Sequence, residues 1–243
     1  MAQAGATPPF TLLQGASLFL DFDGTLVELA DTPSAIAVPD SLQPLLEWLS
    51  ERLDGRLAII SGRAIADLEA HLAVPGIALA GSHGLELRAA GLERPPIEVP
   101  TALAAAADAA ASFAETAPGL IAERKPAGVA LHFRLAPTEE GRVAAFMADL
   151  AAASGLVVQP GKMVVELRPP GAGKGDAVRT LMAIAPFAGH VPLMIGDDIT
   201  DEDAFAAAAA CGGDGILVGE PRETLAHWRL PDVASVAAWL AAA

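Results

Sequence analysis

Ser17-Leu18-Phe19-Leu20-Asp21-Phe22-Asp23-Gly24-Thr25-Leu26 opens as a short apolar run and ends on two carboxylates two positions apart. Such a run reads as a buried strand that delivers polar residues at its C-terminal end. Working outward, Leu42, Leu45, Leu46, Leu49 and Leu53 keep helical spacing, Pro44 sits in the first turn, and Gly55 closes the helix. Leu57-Ala58-Ile59-Ile60 is a second strand, ending at Ser61. A helix through Ile65, Leu68 and Leu72 then leads to a third strand at Ile77-Ala78-Leu79-Ala80, ending at Gly81. Strands alternating with helices predict an α/β chain with a doubly wound parallel sheet. Ligands of such sheets sit at the carboxyl ends of the strands, where Asp21, Ser61 and the Ser82-His83 pair fall.

The pattern breaks at Glu93-Arg94-Pro95-Pro96-Ile97-Glu98-Val99-Pro100, a proline-punctuated stretch that reads as a linker. A nearly pure alanine helix follows over Thr101–Thr116. Beyond it, Val129–Leu135 and Met163–Arg168 alternate with period two, on either side of a helix over Glu139–Ala153. Strict alternation marks the half-buried strands of an open antiparallel sheet. The segment therefore reads as helix, two strands, helix, two strands: a smaller α+β cap domain over residues 91–170, inserted into a discontinuous core of residues 1–90 and 171–243. After Pro169-Pro170-Gly171 the doubly wound style returns, with strands at Val191–Ile195 and Gly215–Val218 and helices at Ala204–Ala210 and Val233–Leu240.

Composition narrows the partners. The chain has 243 residues, of which 53% are hydrophobic and 19% charged, too apolar for a disordered protein. A net charge of −15 argues against nucleic acid and anionic membranes, because the mean field repels phosphate polymers. It does not argue against a small anion, which needs one local site. A single cysteine, Cys211, excludes an intramolecular disulfide and a multi-cysteine metal site. No stretch reads as a signal peptide or a membrane span, so a cytoplasmic location is expected.

Asp21-Phe22-Asp23-Gly24-Thr25-Leu26 carries the strongest chemical signal. Carboxylates two residues apart on a strand end share a side and repel unless a cation intervenes, a layout for a hard metal with one Asp free as nucleophile. The dipeptide Asp-Gly alone would be an ordinary turn; directly after a buried strand the functional reading prevails. Gly196-Asp197-Asp198-Ile199-Thr200-Asp201-Glu202-Asp203 is a second acidic strand end. Asp197, emerging from Leu193-Met194-Ile195, reads as a metal ligand, and Glu202 and Asp203 as plain acidic residues of a helix N-terminus. Ser61-Gly62-Arg63 ends a strand and opens a helix, a natural phosphate site. Gly171-Ala172-Gly173-Lys174-Gly175-Asp176 lacks P-loop spacing, and Lys174 at a helix start opposes the helix dipole, which points to a buried anion as its partner.

Taken together these strand ends resemble the haloacid dehalogenase (HAD) superfamily of aspartyl phosphatases, with Asp21-x-Asp23, Ser61, Lys174 and Gly196-Asp197-Asp198 with Asp201 in order. The resemblance narrows to trehalose-6-phosphate phosphatases on Ser61-Gly62-Arg63, Gly81-Ser82-His83-Gly84, Glu123-Arg124-Lys125, Ala130-Leu131-His132-Phe133-Arg134, Gly161–Pro169 and Gly196–Glu202. It implies Mg2+-dependent hydrolysis of a sugar phosphate. Asp21 is then the nucleophile and Asp23 the acid/base, and Ser61 and Lys174 offset phosphoryl charge. Asp21, the Asp23 carbonyl, Asp197 and Asp201 hold or orient the metal. Gly62, Arg63, His83, Glu123, Lys125, Arg134, Lys162 and Glu166 bind substrate, the last five from a cap that closes as a lid. A plain solvated sheet face is the competing reading of the cap residues, with His132 structural. Sucrose phosphate, mannosylphosphoglycerate and a phosphomutase reaction are the alternatives for the chemistry. A monomer is expected, with any trehalose-6-phosphate synthase on a separate chain.

Overall fold

The computed structural model describes residues 5–30, 32, 35–94, 100–171 and 173–242. Two compact units emerge: Met1–Leu29 with Ile36–Pro95 and Ala172–Ala243, and Pro96–Gly171 with the short segment Ala30–Ala35.

In the larger unit, β1 (Ala16–Leu20) runs through the middle of the sheet with every residue buried, the reason its sequence is apolar but for Ser17, whose hydroxyl donates to the Phe187 carbonyl at 3.1 Å. It leads to α1 (Leu42–Arg52), β2 (Leu57–Ile60), α2 (Ile65–His71) and β3 (Ala78–Gly81), and then to a hairpin of β4 (Glu86–Ala89) and β5 (Leu92–Arg94). The smaller unit holds α3 (Thr101–Ala114), β6 (Ile121–Lys125), β7 (Gly128–His132), α4 (Glu140–Ser154), β8 (Val157–Gly161) and β9 (Val164–Arg168). The chain then completes the larger unit with α5 (Lys174–Met182), β10 (Val191–Gly196), α6 (Glu202–Ala210), β11 (Asp214–Val218), β12 (Trp228–Leu230) and α7 (Val233–Ala242).

The large sheet has the order β12-β11-β10-β1-β2-β3-β4-β5. Its members from β12 to β3 pair in parallel, and the β4–β5 hairpin is antiparallel. Apolar side chains cover both of its faces. One side packs Leu18, Leu20, Ile59 and Ile195 with Leu46, Leu49 and Leu68; the other packs Phe19, Ile60 and Met194 with Val178, Leu181, Phe187 and Phe205. The boundary expected after residue 90 falls inside the β4–β5 hairpin, whose Leu87 pairs with Arg94. Glu93 and Arg94 of the expected linker are thus strand residues, and 95–99 lie outside the described residues.

The smaller unit is a four-stranded antiparallel sheet of order β6-β7-β9-β8. Here α3 packs on β6 and β7 and α4 on β8 and β9. Val129, Leu131, Val165 and Leu167 turn toward these helices, packing with Leu103, Ala106, Ala110, Val143 and Met147. Alternation therefore sends Glu123, Lys125, His132 and Glu166 to the opposite face. The strand expected to reach Leu135 ends at His132, and Phe133 is held by its N–H donating to the Met163 carbonyl at 3.0 Å.

Candidate active site

The centre of the large sheet concentrates charge at its carboxyl edge. β1 and β10 are neighbours, and the Asp21 N–H donates to the Ile195 carbonyl at 2.9 Å, so the two acidic strand ends open side by side. Asp21, Asp197 and Asp201 are 4%, 8% and 0% exposed. Each brings a carboxylate oxygen within 4.8 Å of the others. Lys174, at the first turn of α5 and also buried, donates from Nζ to Asp21 Oδ1 and to Asp201 Oδ1, each at 2.7 Å. This is the buried anion that its unfavourable place at a helix N-terminus implies.

Three carboxylates against one ammonium leave a local excess of negative charge in a buried site. Burial, above all, pushes the Asp21 carboxyl well above its usual range; Lys174 works against this, while Asp201 and Asp197 add to it. Burial opposes the charged Lys174, yet Asp201 and Asp21 outweigh it and raise its pKa. A hard divalent cation on oxygen ligands would neutralise the remaining charge, so the residues present fit Mg2+. Asp201 already spends Oδ1 on Lys174 and Oδ2 on the Asp198 N–H at 3.0 Å, which suits an orienting role beside Asp21 and Asp197. Gly24 makes the close approach possible: it sits at φ +82°, and a Cβ there would lie 2.3 Å from Asp197 Oδ2.

Asp23 lies apart from this cluster. Arg63 grips both its oxygens, Nε to Oδ2 at 2.7 Å and one terminal nitrogen to Oδ1 at 2.8 Å, while its other terminal nitrogen reaches Asp67 at 2.7 Å. The fork-like guanidinium matches a carboxylate at two points. Ser61, 1% exposed at the end of β2, accepts from the Arg63 N–H on its Oγ at 3.1 Å. The next strand end, after β3, carries Ser82 and His83 at φ +48° and +58°. Two successive non-glycine residues in the left-handed region cost on the order of 1–3 kcal/mol each and persist only where their surroundings impose them.

Several side-chain partnerships escaped the sequence reading. Asp203 is no plain cap of its own helix: it crosses to α5 and accepts the Gly175 N–H at 2.8 Å, fixing the turn that carries Lys174. Glu202 pairs with Arg222 and accepts the Leu225 N–H at 2.8 Å, while Arg222 donates to the Asp198 carbonyl at 2.8 Å, bracing the acidic loop. Arg63, just ahead of α2, pairs with Asp67 on its first turn, and neither this pairing nor the shared grip on Asp23 was read.

On the polar face of the smaller sheet, Lys125 pairs with Glu166, and His132 Nε2 with Glu123 at 2.8 Å. Glu123 and Glu166 both oppose Ala130, on its two sides, so a small residue separates two carboxylates. Arg134 donates to the carbonyl of Lys162 at 3.3 Å, and Lys162 itself lies exposed in the β8–β9 turn.

The trehalose-phosphatase family model matches residues 19–219, spanning both units. The "Probable trehalose-phosphate phosphatase" of Sinorhizobium fredii is 41% identical over 214 residues, covering 87% of this chain and 80% of that protein. The trehalose-6-phosphate phosphatase of Escherichia coli is 36% identical over 224 residues, covering 91% and 84%. Among solved structures, the C-terminal domain of the C. albicans trehalose-6-phosphate phosphatase superposes with a TM-score of 0.85 at 25% identity, covering 99% of this chain and 98% of that one. The parallel core with its inserted antiparallel unit is a HAD-type fold, and the chain belongs to the trehalose-phosphatase family of phosphoric monoester hydrolases.

Proposed function

We propose that this chain hydrolyses trehalose 6-phosphate to trehalose and phosphate through an aspartyl-phosphate. The observation that carries the reading is the buried meeting of Asp21 with Lys174, Asp197 and Asp201 at the strand ends of a member of this family. Asp21 attacks phosphorus in line, a bond forms from its carboxylate oxygen, and the bond to the sugar oxygen breaks. Asp23 gives its proton to the departing oxygen and later takes one from the water that attacks the acyl phosphate. For that first step Asp23 leaves Arg63, whose guanidinium turns to the incoming phosphoryl group. Ser61, the N–H groups around Gly62, and Lys174 meet the charge on the phosphoryl oxygens. Asp21, Asp197 and the Asp23 carbonyl would hold Mg2+, with Asp201 orienting. The bound ion supplies the positive charge that keeps Asp21 ionised and draws density from phosphorus.

The inserted unit supplies sugar choice. Lys125, Glu166 and Glu123, with Arg134 and Lys162, offer donors and acceptors for vicinal hydroxyls, and His83 lies beside the phosphate loop of the core. Among the described residues no helix is long and apolar enough to cross a membrane, and we place the activity in the cytoplasm, on a monomer fed by a sugar-phosphate-forming glycosyltransferase. Phosphate release from trehalose 6-phosphate, glucose 6-phosphate and sucrose 6-phosphate, with Mg2+ and with chelator, tests the reading. A preference of at least about tenfold for trehalose 6-phosphate is expected. Equal rates on all three would remove the disaccharide specificity, and isomerised sugar phosphate without free phosphate would indicate a phosphomutase.

A further inference from the structure

The strained turn after β3 is fastened by a residue that the proposed chemistry leaves unused. Glu86, the first residue of β4, is partly buried and turns back over the turn it follows. Its Oε1 accepts the Ser82 hydroxyl, and its Oε2 accepts the backbone N–H of Ile65 at 3.3 Å. Ile65 opens α2 one residue beyond the Ser61-Gly62-Arg63 loop, after Ala64, so one carboxylate bridges two strand-end loops. The backbone completes the seam: the Ser82 N–H donates to the Arg63 carbonyl at 2.7 Å, and the His83 N–H donates to the Ser61 carbonyl at 2.9 Å. The His83 imidazole lies directly on Gly62, where a Cβ would come within 2.7 Å of the ring. The same turn packs against α5, which carries Lys174.

We infer that Glu86 is a positioning residue for phosphate-ester hydrolysis: it holds the Ser82-His83 turn in its left-handed conformation and, through it, sets His83 against the Ser61–Arg63 loop. This rests on the phosphatase reading above for the reaction, though not for the geometry. The role requires an acceptor for Ile65 and a partner for a hydroxyl that can donate or accept; it does not require charge. Glutamine meets both needs, its carbonyl accepting from Ile65 and its NH2 donating to Ser82. Aspartate keeps the charge and is one methylene too short to span both.

The variants Glu86→Gln and Glu86→Asp separate position from charge. We expect Glu86→Gln to stay within about threefold of the parent in kcat/KM, and Glu86→Asp to lose ~10- to 100-fold, the range for outer partners of reacting groups. The inhibition constant of inorganic phosphate is expected to rise in Glu86→Asp, and the His83 ring resonances to shift in its NMR spectrum. The opposite ranking, with Glu86→Asp active and Glu86→Gln impaired, would overturn the inference. So would variants that unfold at lower temperature yet keep kcat/KM, phosphate affinity and the His83 resonances. A parent enzyme that released no phosphate from sugar esters would strike the functional reading instead, and the phosphate and NMR measurements would still rank the two variants.

Discussion

Two sets of carboxylate pairings, one in each unit, use similar chemistry to different ends. In the core, Lys174, Asp21 and Asp201 have side chains 3%, 5% and 0% exposed, placed by the first turn of α5, the end of β1 and the loop after β10. On the inserted sheet, Lys125 and Glu166 are 17% and 7% exposed and His132 and Glu123 are 21% and 29%. In the core, removing water strengthens each charge–charge interaction and makes an unmatched charge costly. Such a site holds an imbalance that a cation and a phosphoryl group can satisfy. On the insert, part of each pair stays open to solvent, so a hydroxyl can replace a water at little cost. On the proposed function, core charges serve the reaction and insert charges recognition.

Perturbing each set separately can break that contrast. The largest effect is expected from Asp21→Asn, which keeps the shape but removes the proposed nucleophile: turnover of every phosphate ester should fall by ~10⁴-fold or more, with an unchanged circular dichroism spectrum. Chelation comes next. Stripping the divalent ion should stop hydrolysis, worth several kcal/mol of transition-state stabilisation. Because Asp21, Asp197 and Asp201 outnumber the single Lys174 ammonium, the metal-free pocket should also bind inorganic phosphate more weakly. Isothermal titration with and without chelator measures this, and equal affinities would contradict the charge argument.

Lys174→Met leaves three buried carboxylates without their ammonium. We expect a loss of about 3–5 kcal/mol in metal-free urea denaturation, partly restored by Mg2+, and ~10²- to 10³-fold in kcat. Glu166→Gln on the insert should behave otherwise, raising KM for trehalose 6-phosphate by ~10-fold while leaving p-nitrophenyl phosphate hydrolysis unchanged. Equal losses on both substrates would erase the division of labour. The smallest effect is expected at the exposed Arg124–Asp108 pair, where Arg124→Ala should change stability by about 0–1 kcal/mol and kcat/KM not at all.

Legibility in the sequence followed the strength of the local pattern. β1 was readable because a central parallel strand is apolar at nearly every position, here all but Ser17, and the inserted sheet because a one-sided sheet alternates. The β4–β5 hairpin and β12 were not. Strands as short as Leu92–Arg94 and Trp228–Leu230 have too few positions to show a period, and their pairing is decided by the neighbouring strand. At the site, Asp21 and Lys174 were legible from their strand-end and helix-start positions, and Asp201 only through the family resemblance. The grip of Arg63 on Asp23, 40 positions away, and the reach of Asp203 to Gly175, 28 positions away, depend on side-chain directions that appear only once sheet order brings the loops together. The two acidic residues read as simple caps show the same limit: helix N-termini favour acids whatever else those acids do.

The central claim is that Asp21 takes the phosphoryl group. Rapid mixing of the enzyme with trehalose 6-phosphate labelled at phosphorus with ³²P, followed by an acid quench and peptide mapping, tests it most directly. The account predicts label on the peptide containing Asp21 before steady state, and none with Asp21→Asn. Steady phosphate release by Asp21→Asn, or turnover of the parent with label on another residue, would contradict it.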